Sequence, residues 1–257
     1  MDPLVSVIIP TYNRPNFLPN TLKTIREQTY NNIEVIVVND AGSEVGELIE
    51  EFPDLNIQYC SHKENKGLAG TRNTGIEMAK GDYFCFLDDD DGFYPFHVGF
   101  LLDKLMSSEK EVVYSEDVRI ILERTEDGKS YIPVRKIIPL SLEYDKNLLL
   151  IQNITPVNAV MCSKKALGEN RFDENLPVYE DWDMWLKISE NYPFEFIGIP
   201  TCYYTWRQDG STMSSNKTEF STELPTIYNR YKHLASAEVK EKQNKVLNSR
   251  GMPIILD

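Results

Sequence analysis

Four consecutive carboxylates, Asp88-Asp89-Asp90-Asp91, follow the apolar run Tyr83-Phe84-Cys85-Phe86-Leu87. That run reads as a buried strand, so the acids emerge at its carboxyl end, where open α/β sheets bind ligands. Four adjacent like charges call for a cationic partner, and a hard divalent ion carrying phosphate oxygens is one. A solvated acidic turn is the simpler alternative. Two more polar clusters follow apolar, β-branched runs: Thr11-Tyr12-Asn13-Arg14 after residues 4–10, and Asn39-Asp40-Ala41-Gly42-Ser43 after residues 33–38. In a parallel sheet all three tips point the same way and share one crevice.

The elements that must position these clusters are legible from periodicity. Near-continuous hydrophobicity over residues 4–10 predicts a strand covered on both faces. Leu18, Leu22 and Ile25 predict a helix after it, and residues 33–38 a second strand, which completes a β-α-β unit. A helix over about 45–52, stopped by Pro53, and a short strand at 57–59 follow. Asn65-Lys66-Gly67 leads into a helix reaching about Lys80, whose glycines permit close backbone approach. Pro95 suits the first turn of a helix carrying Val98, Leu101, Leu102 and Leu105. Residues 111–115 predict another strand. Residues 118–134 predict two strands joined at Glu126-Asp127-Gly128-Lys129, with a change from parallel to antiparallel pairing. Further strands are expected at 158–162 and 203–206, a helix from Asp181 to Ile188, and an amphipathic helix over 222–234. The lysine-richer residues beyond it read as solvated surface.

Composition narrows the function. In 257 residues the net charge is −13, which disfavours nucleic acid and anionic lipid as partners. The glycines match neither G-x-G-x-x-G nor G-K-[ST], so a dehydrogenase or phosphate-loop ATPase is disfavoured. Cys60, Cys85, Cys162 and Cys202 lack C-x-x-C spacing and read as buried free thiols. His62, His97 and His233 lie outside every cluster and suit exposed or packing roles. Neither a signal-peptide pattern nor a spanning apolar run is seen, so the expectation is a cytoplasmic protein, with at most weak peripheral association at the inner membrane face.

Taken together, Pro10-Thr11-Tyr12-Asn13-Arg14, Val38-Asn39-Asp40-Ala41-Gly42-Ser43, Asn65-Lys66-Gly67 with Ala69-Gly70-Thr71-Arg72-Asn73-Thr74-Gly75, Phe86-Leu87-Asp88-Asp89-Asp90-Asp91 and Glu180-Asp181-Trp182-Asp183 resemble, in order, the motifs of inverting family 2 glycosyltransferases of the GT-A fold. The resemblance covers about residues 4–210. It implies an α/β fold with a Rossmann-like mixed sheet flanked by helices, a small antiparallel subsheet and a C-terminal helix. The implied organisation is a catalytic domain over 1–215, with a nucleotide-binding half over about 1–117 and an acceptor half over about 118–215, and a helical appendage over 216–257.

The activity implied is transfer of a sugar from a nucleoside diphosphate donor, UDP-linked by preference, to a hydroxyl of a saccharide or glycoconjugate, in polysaccharide or glycan biosynthesis. A hexosyl- or N-acetylhexosaminyl-transferase dependent on Mn²⁺ or Mg²⁺ is expected. By the same resemblance Asp40 accepts a hydrogen bond from the base and Tyr12 packs on it, beside Pro10 and Thr11. Arg14 and Arg72 meet the diphosphate. Asp90 ligates the metal, and Asp88 or Asp89 binds the ribose or supports the ion. Asp91 is a candidate cap for the next helix. Asp181 is the base that deprotonates the acceptor, and Glu180 orients it or touches the donor sugar. Many relatives carry a histidine near the place of Arg207; an arginine cannot ligate metal, so Arg207 contacts phosphate or nothing. Trp182 and Trp185 suit core packing better than an acceptor cleft. The rival readings are a sugar-nucleotide-binding protein without turnover and a nucleotidyltransferase, though the latter would want a glycine-rich loop after the first strand.

Overall fold

The computed structural model describes residues 2–126, 130–138, 142–209 and 217–252. Strands β1 (Val5–Thr11), β2 (Ile33–Asn39), β3 (Ile57–Ser61) and β4 (Tyr83–Phe86) form a parallel sheet in the order β3-β2-β1-β4. Helices α1 (Leu18–Arg26), α2 (Gly46–Glu50) and α3 (Gly67–Met78) connect them. Every residue of β1 is buried, as its unbroken apolar run requires. Its side chains alternate with period two: Ile8 joins Ile36, Val38, Phe84 and Phe86 in one core cluster, while Val5, Val7 and Ile9 join Val35, Val37 and Leu87 in the other. Helix α3 lies against β1 because Gly75 lacks a side chain; a Cβ there would meet Ile8 Cγ2 at 2.3 Å.

Beyond β4 the sheet continues through β8 (Val160–Ser163), β6 (Val112–Arg124), β9 (Phe194–Arg207) and β5 (Gly92–Phe93), with β7 (Tyr131–Ile137) paired to β6. The sequence expectation needs correction here. Pairing first turns antiparallel between β4 and β8, and β6 and β9 pair parallel. The expected strands at 111–115 and from 118 onward are one strand, β6, starting at Val112, whose register against β9 shifts at Ser115/Glu116 and Glu116/Asp117. The apparent break in the pattern is this irregularity, which changes which side chains face the core. The expected antiparallel pair β6–β7 is present, while Asp127, Gly128 and Lys129 of its expected turn lie outside the described residues.

Helix α4 (His97–Ser107) begins two residues after Pro95, so Pro95 precedes the helix rather than opening it. Its first residue, His97, is buried, stacked at 3.8 Å on Phe93 and joined to Thr201. Short helices α5 (Lys146–Leu149) and α6 (Lys164–Leu167) and a 3-10 turn at Val157–Ala159 flank β8, and α7 (Glu180–Ser189) carries the Glu180-Asp181 pair. Two helices close the described chain, α8 (Lys217–Arg230) and α9 (Ala237–Ser249). The second corrects the reading of a solvated tail. Val239, Gln243 and Leu247 recur at helical spacing and are buried, and Gln243 donates to the Leu150 carbonyl at 2.6 Å. Asp183 ties α8 to α7, accepting from Arg230 at 2.6 Å and from the Tyr231 hydroxyl at 2.9 Å.

Candidate active site

Three loops meet at the carboxyl ends of β1, β2 and β4. Asn13 and Ala41, at the tips after β1 and β2, adopt positive φ, a strained conformation that the surrounding contacts must hold. Asn13 Oδ1 accepts from the Ser43 amide at 2.9 Å, which locks the first two loops together. Around them lies a cavity of about 320 Å³ lined by Pro10, Thr11, Tyr12, Arg14, Asp40, Asp88 and Asp89, among others. Tyr12, 48% exposed, stands at its mouth.

The Asp40 carboxylate also holds the start of α3. Oδ1 accepts from the Lys66 amide at 2.8 Å and pairs with His62 Nδ1 at 2.8 Å; Oδ2 accepts from the Gly67 amide at 2.9 Å. Gly67 reaches this geometry with φ of +77°. His62 Nε2 bonds Thr74 Oγ1 at 2.9 Å, so the ring is pinned at both nitrogens. His62 lies outside every sequence cluster, because nothing in the local pattern signals that β3 ends beside β2's tip. Oδ1 is saturated by two partners, which leaves Oδ2 with capacity for one more donor.

The four acids diverge sharply in environment. Asp89 is buried, accepts from Thr11 Oγ1 at 2.7 Å and pairs with Arg14 at 3.3 Å. Burial, and then the adjacent Asp90 charge, push its carboxyl up to about 7. Asp88 is the more exposed of the two, with its side chain 30% accessible, and pairs with Arg72 at 2.7 Å. Asp90 takes both Arg14, at 3.2 Å, and Arg207, at 2.6 Å, on Oδ2. Asp91 does not cap α4; its Oδ1 accepts from the Thr205 amide on β9 at 2.9 Å, and burial raises its carboxyl well above the ordinary range. The turn is therefore stitched to β9, with Thr205 Oγ1 donating to the Asp90 carbonyl at 3.0 Å. Arg207 lies behind the turn, its side chain 2% exposed and its guanidinium 5.0 Å from the centre of the Phe17 ring.

A second cavity, about 350 Å³, adjoins the first and shares Arg14, Leu68 and Asp88 with it. Arg72, Asp90, Glu180 and Asp181 line it as well. Arg72 is buried and bridges two loops, giving Nη2 to Asp88 and Nη1 to Glu180, each at 2.7 Å. Burial opposes its charge, but Asp88 and Glu180 outweigh that and hold it protonated. Asp181 accepts from Asn153 Nδ2 at 2.9 Å and from the Trp182 amide at 2.7 Å. Burial first, then the charge of Glu180, raise its carboxyl to about 7. Tyr179, immediately before α7, has φ of +66°, so strain accompanies this loop also. Trp182 and Trp185 are core residues.

Among the described residues no group of three His, Cys, Asp or Glu side chains could enclose a metal. What the turn offers is sparser: Asp90 Oδ1, left over when Oδ2 takes the arginines, on the second cavity, and the second oxygen of Asp88, which lines both cavities. Such a set fits a hard divalent ion whose other ligands are phosphate and water, and does not fit a self-contained protein cage.

The family model for glycosyl transferase family 2 matches residues 6–172. An uncharacterized glycosyltransferase of Rickettsia felis is 31% identical over 246 residues, 92% of this chain and 39% of its own length. The chain thus spans well under half of that relative. Among solved structures, TarS 1-349 of S. aureus in complex with UDP-GlcNAc superposes with a TM-score of 0.74 at 20% identity, covering 96% of this chain and 72% of that one. The mannosyltransferase PcManGT of Pyrobaculum calidifontis, in complex with GDP-Man and Mn2+, gives 0.68 at 18% identity, covering 98% of this chain and 74% of its own. The architecture is the GT-A fold, and with more than half its residues matched the chain belongs to glycosyl transferase family 2.

Proposed function

We propose that this chain moves a sugar from a nucleoside diphosphate sugar, UDP-linked, to a hydroxyl of a saccharide or glycoconjugate acceptor, with inversion. The observation that carries the reading is Asp181: a carboxylate with pKa raised to about 7, facing a cavity that opens directly onto the Asp88–Asp91 turn. A base poised near neutrality is suited to receive the acceptor proton as its oxygen attacks the anomeric carbon. Asn153 and the Trp182 amide hold the carboxylate in place for that transfer. A single displacement forms the glycosidic C–O bond as the bond to the diphosphate breaks, so no covalent enzyme intermediate is needed.

The first cavity suits the nucleotide. Asp40 Oδ2 has room for an N–H of the base, Tyr12 covers the base at the mouth, and Asp88, more accessible than Asp89, takes the ribose. Asp89 holds Thr11 and Arg14 in position. Arg14 and Arg72 face the diphosphate, with Arg207 acting on it through Asp90. Asp90, supported by Asp88, would hold Mn²⁺ or Mg²⁺, which supplies charge neutralisation for the leaving diphosphate. Glu180 orients Arg72 across the second cavity, which Asn158 also lines. The UDP-GlcNAc bound by TarS and the Mn2+ bound by PcManGT support this reading, while the GDP-Man of the latter makes the base the first thing to test.

The test is thermal denaturation with UDP-, GDP- and dTDP-sugars, each with and without Mn²⁺, since a ligand of the native state raises its stability. UDP-sugars are expected to stabilise most, and more with metal. Equal, metal-independent stabilisation by all three would remove Asp40 and Asp90 from their roles. Asp181→Asn is expected to lose transfer by roughly 10²–10⁴-fold; full turnover in that variant would dismiss Asp181 as the base.

A further inference from the structure

A third cavity, about 330 Å³, lies on the far side of Asp181. It shares Asn153, Pro156, Asp181 and Tyr204 with the second cavity, so the three chambers run in series and Asp181 stands at the last doorway. Its volume is at the lower end of small-molecule sites. Within it, Asp117 of β6 is buried at 8% exposure, and its Oδ2 has no hydrogen-bond partner. An orphaned carboxylate oxygen is costly to bury, and native structures leave few of them. Burial pushes the Asp117 carboxyl up to about 6. The strand irregularities at Ser115/Glu116 and Glu116/Asp117 occur at this residue, and bulges beside binding sites commonly re-aim a side chain.

The rest of the lining is suited to a sugar ring. Gln152 is exposed at the rim, and Tyr114 and Tyr204 supply aromatic walls. Both phenols are already engaged, Tyr114 donating to the Leu142 carbonyl at 2.6 Å and Tyr204 accepting from Arg119 Nε. Among the described residues no lysine or arginine lines it, whereas Asp117 and Asp181 do. The nearest cations are already engaged, Arg119 on the Tyr204 hydroxyl and Arg72 on Asp88 and Glu180, so an anionic ring would meet two carboxylates with no lining cation of its own.

Resting on the donor reading above, we propose that this third cavity is the acceptor subsite and takes an uncharged pyranoside. The Asp117 carboxylate accepts a hydrogen bond from one ring hydroxyl and the Gln152 amide holds a second, so that a further hydroxyl is presented to Asp181. Asp117 is thereby a specificity-determining residue for the acceptor, separate from the donor contacts.

The experiment is saturation-transfer NMR on the full chain with UDP and Mn²⁺ present, using the methyl glycosides of glucose, galactose, N-acetylglucosamine and glucuronic acid. Transfer to at least one neutral glycoside and none to the glucuronide is expected. Asp117→Leu and Gln152→Ala should each weaken the neutral glycoside, the former by about tenfold, as for loss of a hydrogen bond to a charged group. UDP affinity by calorimetry serves as the fold control, and the rim position of Gln152 keeps its variant informative if Asp117→Leu does not fold. UDP binding with no neutral glycoside bound, preference for the glucuronide, or unchanged glycoside binding in the folded variants would each overturn the subsite alone. Failure of UDP itself to bind would overturn the donor reading and this one with it.

Discussion

Asn153, in the loop before β8, donates its side-chain amide to Asp181 Oδ2 at 2.9 Å. The bond favours the ionised carboxylate and so opposes the burial that raises it to about 7. In the proposed role of base Asp181 must be deprotonated to act, so kcat/KM should climb with pH through about 7. In Asn153→Ala the rising limb should move to higher pH, with activity lost near neutrality and recovered above it. A pH-rate profile of the two proteins checks this.

The same raised carboxyl carries a stability prediction. With a folded pKa of about 7 against roughly 3.9 in the unfolded chain, Asp181 binds its proton more tightly when folded. Its contribution is therefore fully present below the unfolded value and is lost as pH rises toward and through 7. Asp181→Asn, which never ionises, should gain in melting temperature relative to the natural chain between pH 5 and pH 8. A constant difference across that range would contradict the assignment.

Arg72 joins the acidic turn to α7 by bonds to Asp88 and Glu180, both at 2.7 Å. Arg72→Met should destabilise the fold by about 3–5 kcal/mol, because it strands carboxylates in a low-dielectric site. Arg72→Lys keeps the charge but cannot span both partners, so it should lose less stability while binding UDP poorly. Denaturant titration and calorimetry separate the two effects.

His62 pins Asp40 Oδ1 while Oδ2, which accepts from the Gly67 amide, keeps room for one more donor. Loosening it with His62→Ala should weaken UDP by roughly tenfold, the equivalent of one hydrogen bond, and narrow the preference for UDP over CDP. Competition binding with the two nucleotides reads this directly. Weakening of both nucleotides by the same factor would mean that His62 only supports the fold.

Arg207 and Arg14 converge on one oxygen of Asp90. Cations compete, so Arg207→Met should let Asp90 hold a divalent ion more tightly. Calorimetric titration of Mn²⁺ into the UDP-bound variant is expected to show several-fold higher affinity, accompanied by a lower melting temperature from lost packing against Phe17.

The parallel half of the sheet was readable because its information is local. Residues 5–11 and 33–39 are apolar throughout since both faces are covered, and their polar ends mark the crevice. The pattern Val239, Gln243, Leu247 was equally local and is visible once a single buried glutamine is allowed on the apolar face. Residues 111–115 and the stretch from 118 read as separate strands because a strand with shifted register shows the wrong alternation, whereas Val112–Arg124 is continuous.

By itself the order of residue types determined that three acidic or polar tips would share one edge of an α/β sheet and that Asp181 would open a helix. It could not apportion the four acids, since Asp88, Asp89, Asp90 and Asp91 are chemically identical. Only the packing distinguished them, burying Asp89 under Thr11, turning Asp91 to the Thr205 amide, setting Asp90 against Arg14 and Arg207, and leaving Asp88 alone of the four to line both cavities. Nor could it reveal that His62 reaches Asp40, or that Asp117 and Asp181 line one chamber, because those pairs are joined by strand order and register rather than by spacing. Local pattern chooses elements. Long-range pairing decides which side chains share a dielectric environment, and with it which carboxylate caps, which binds and which accepts a proton.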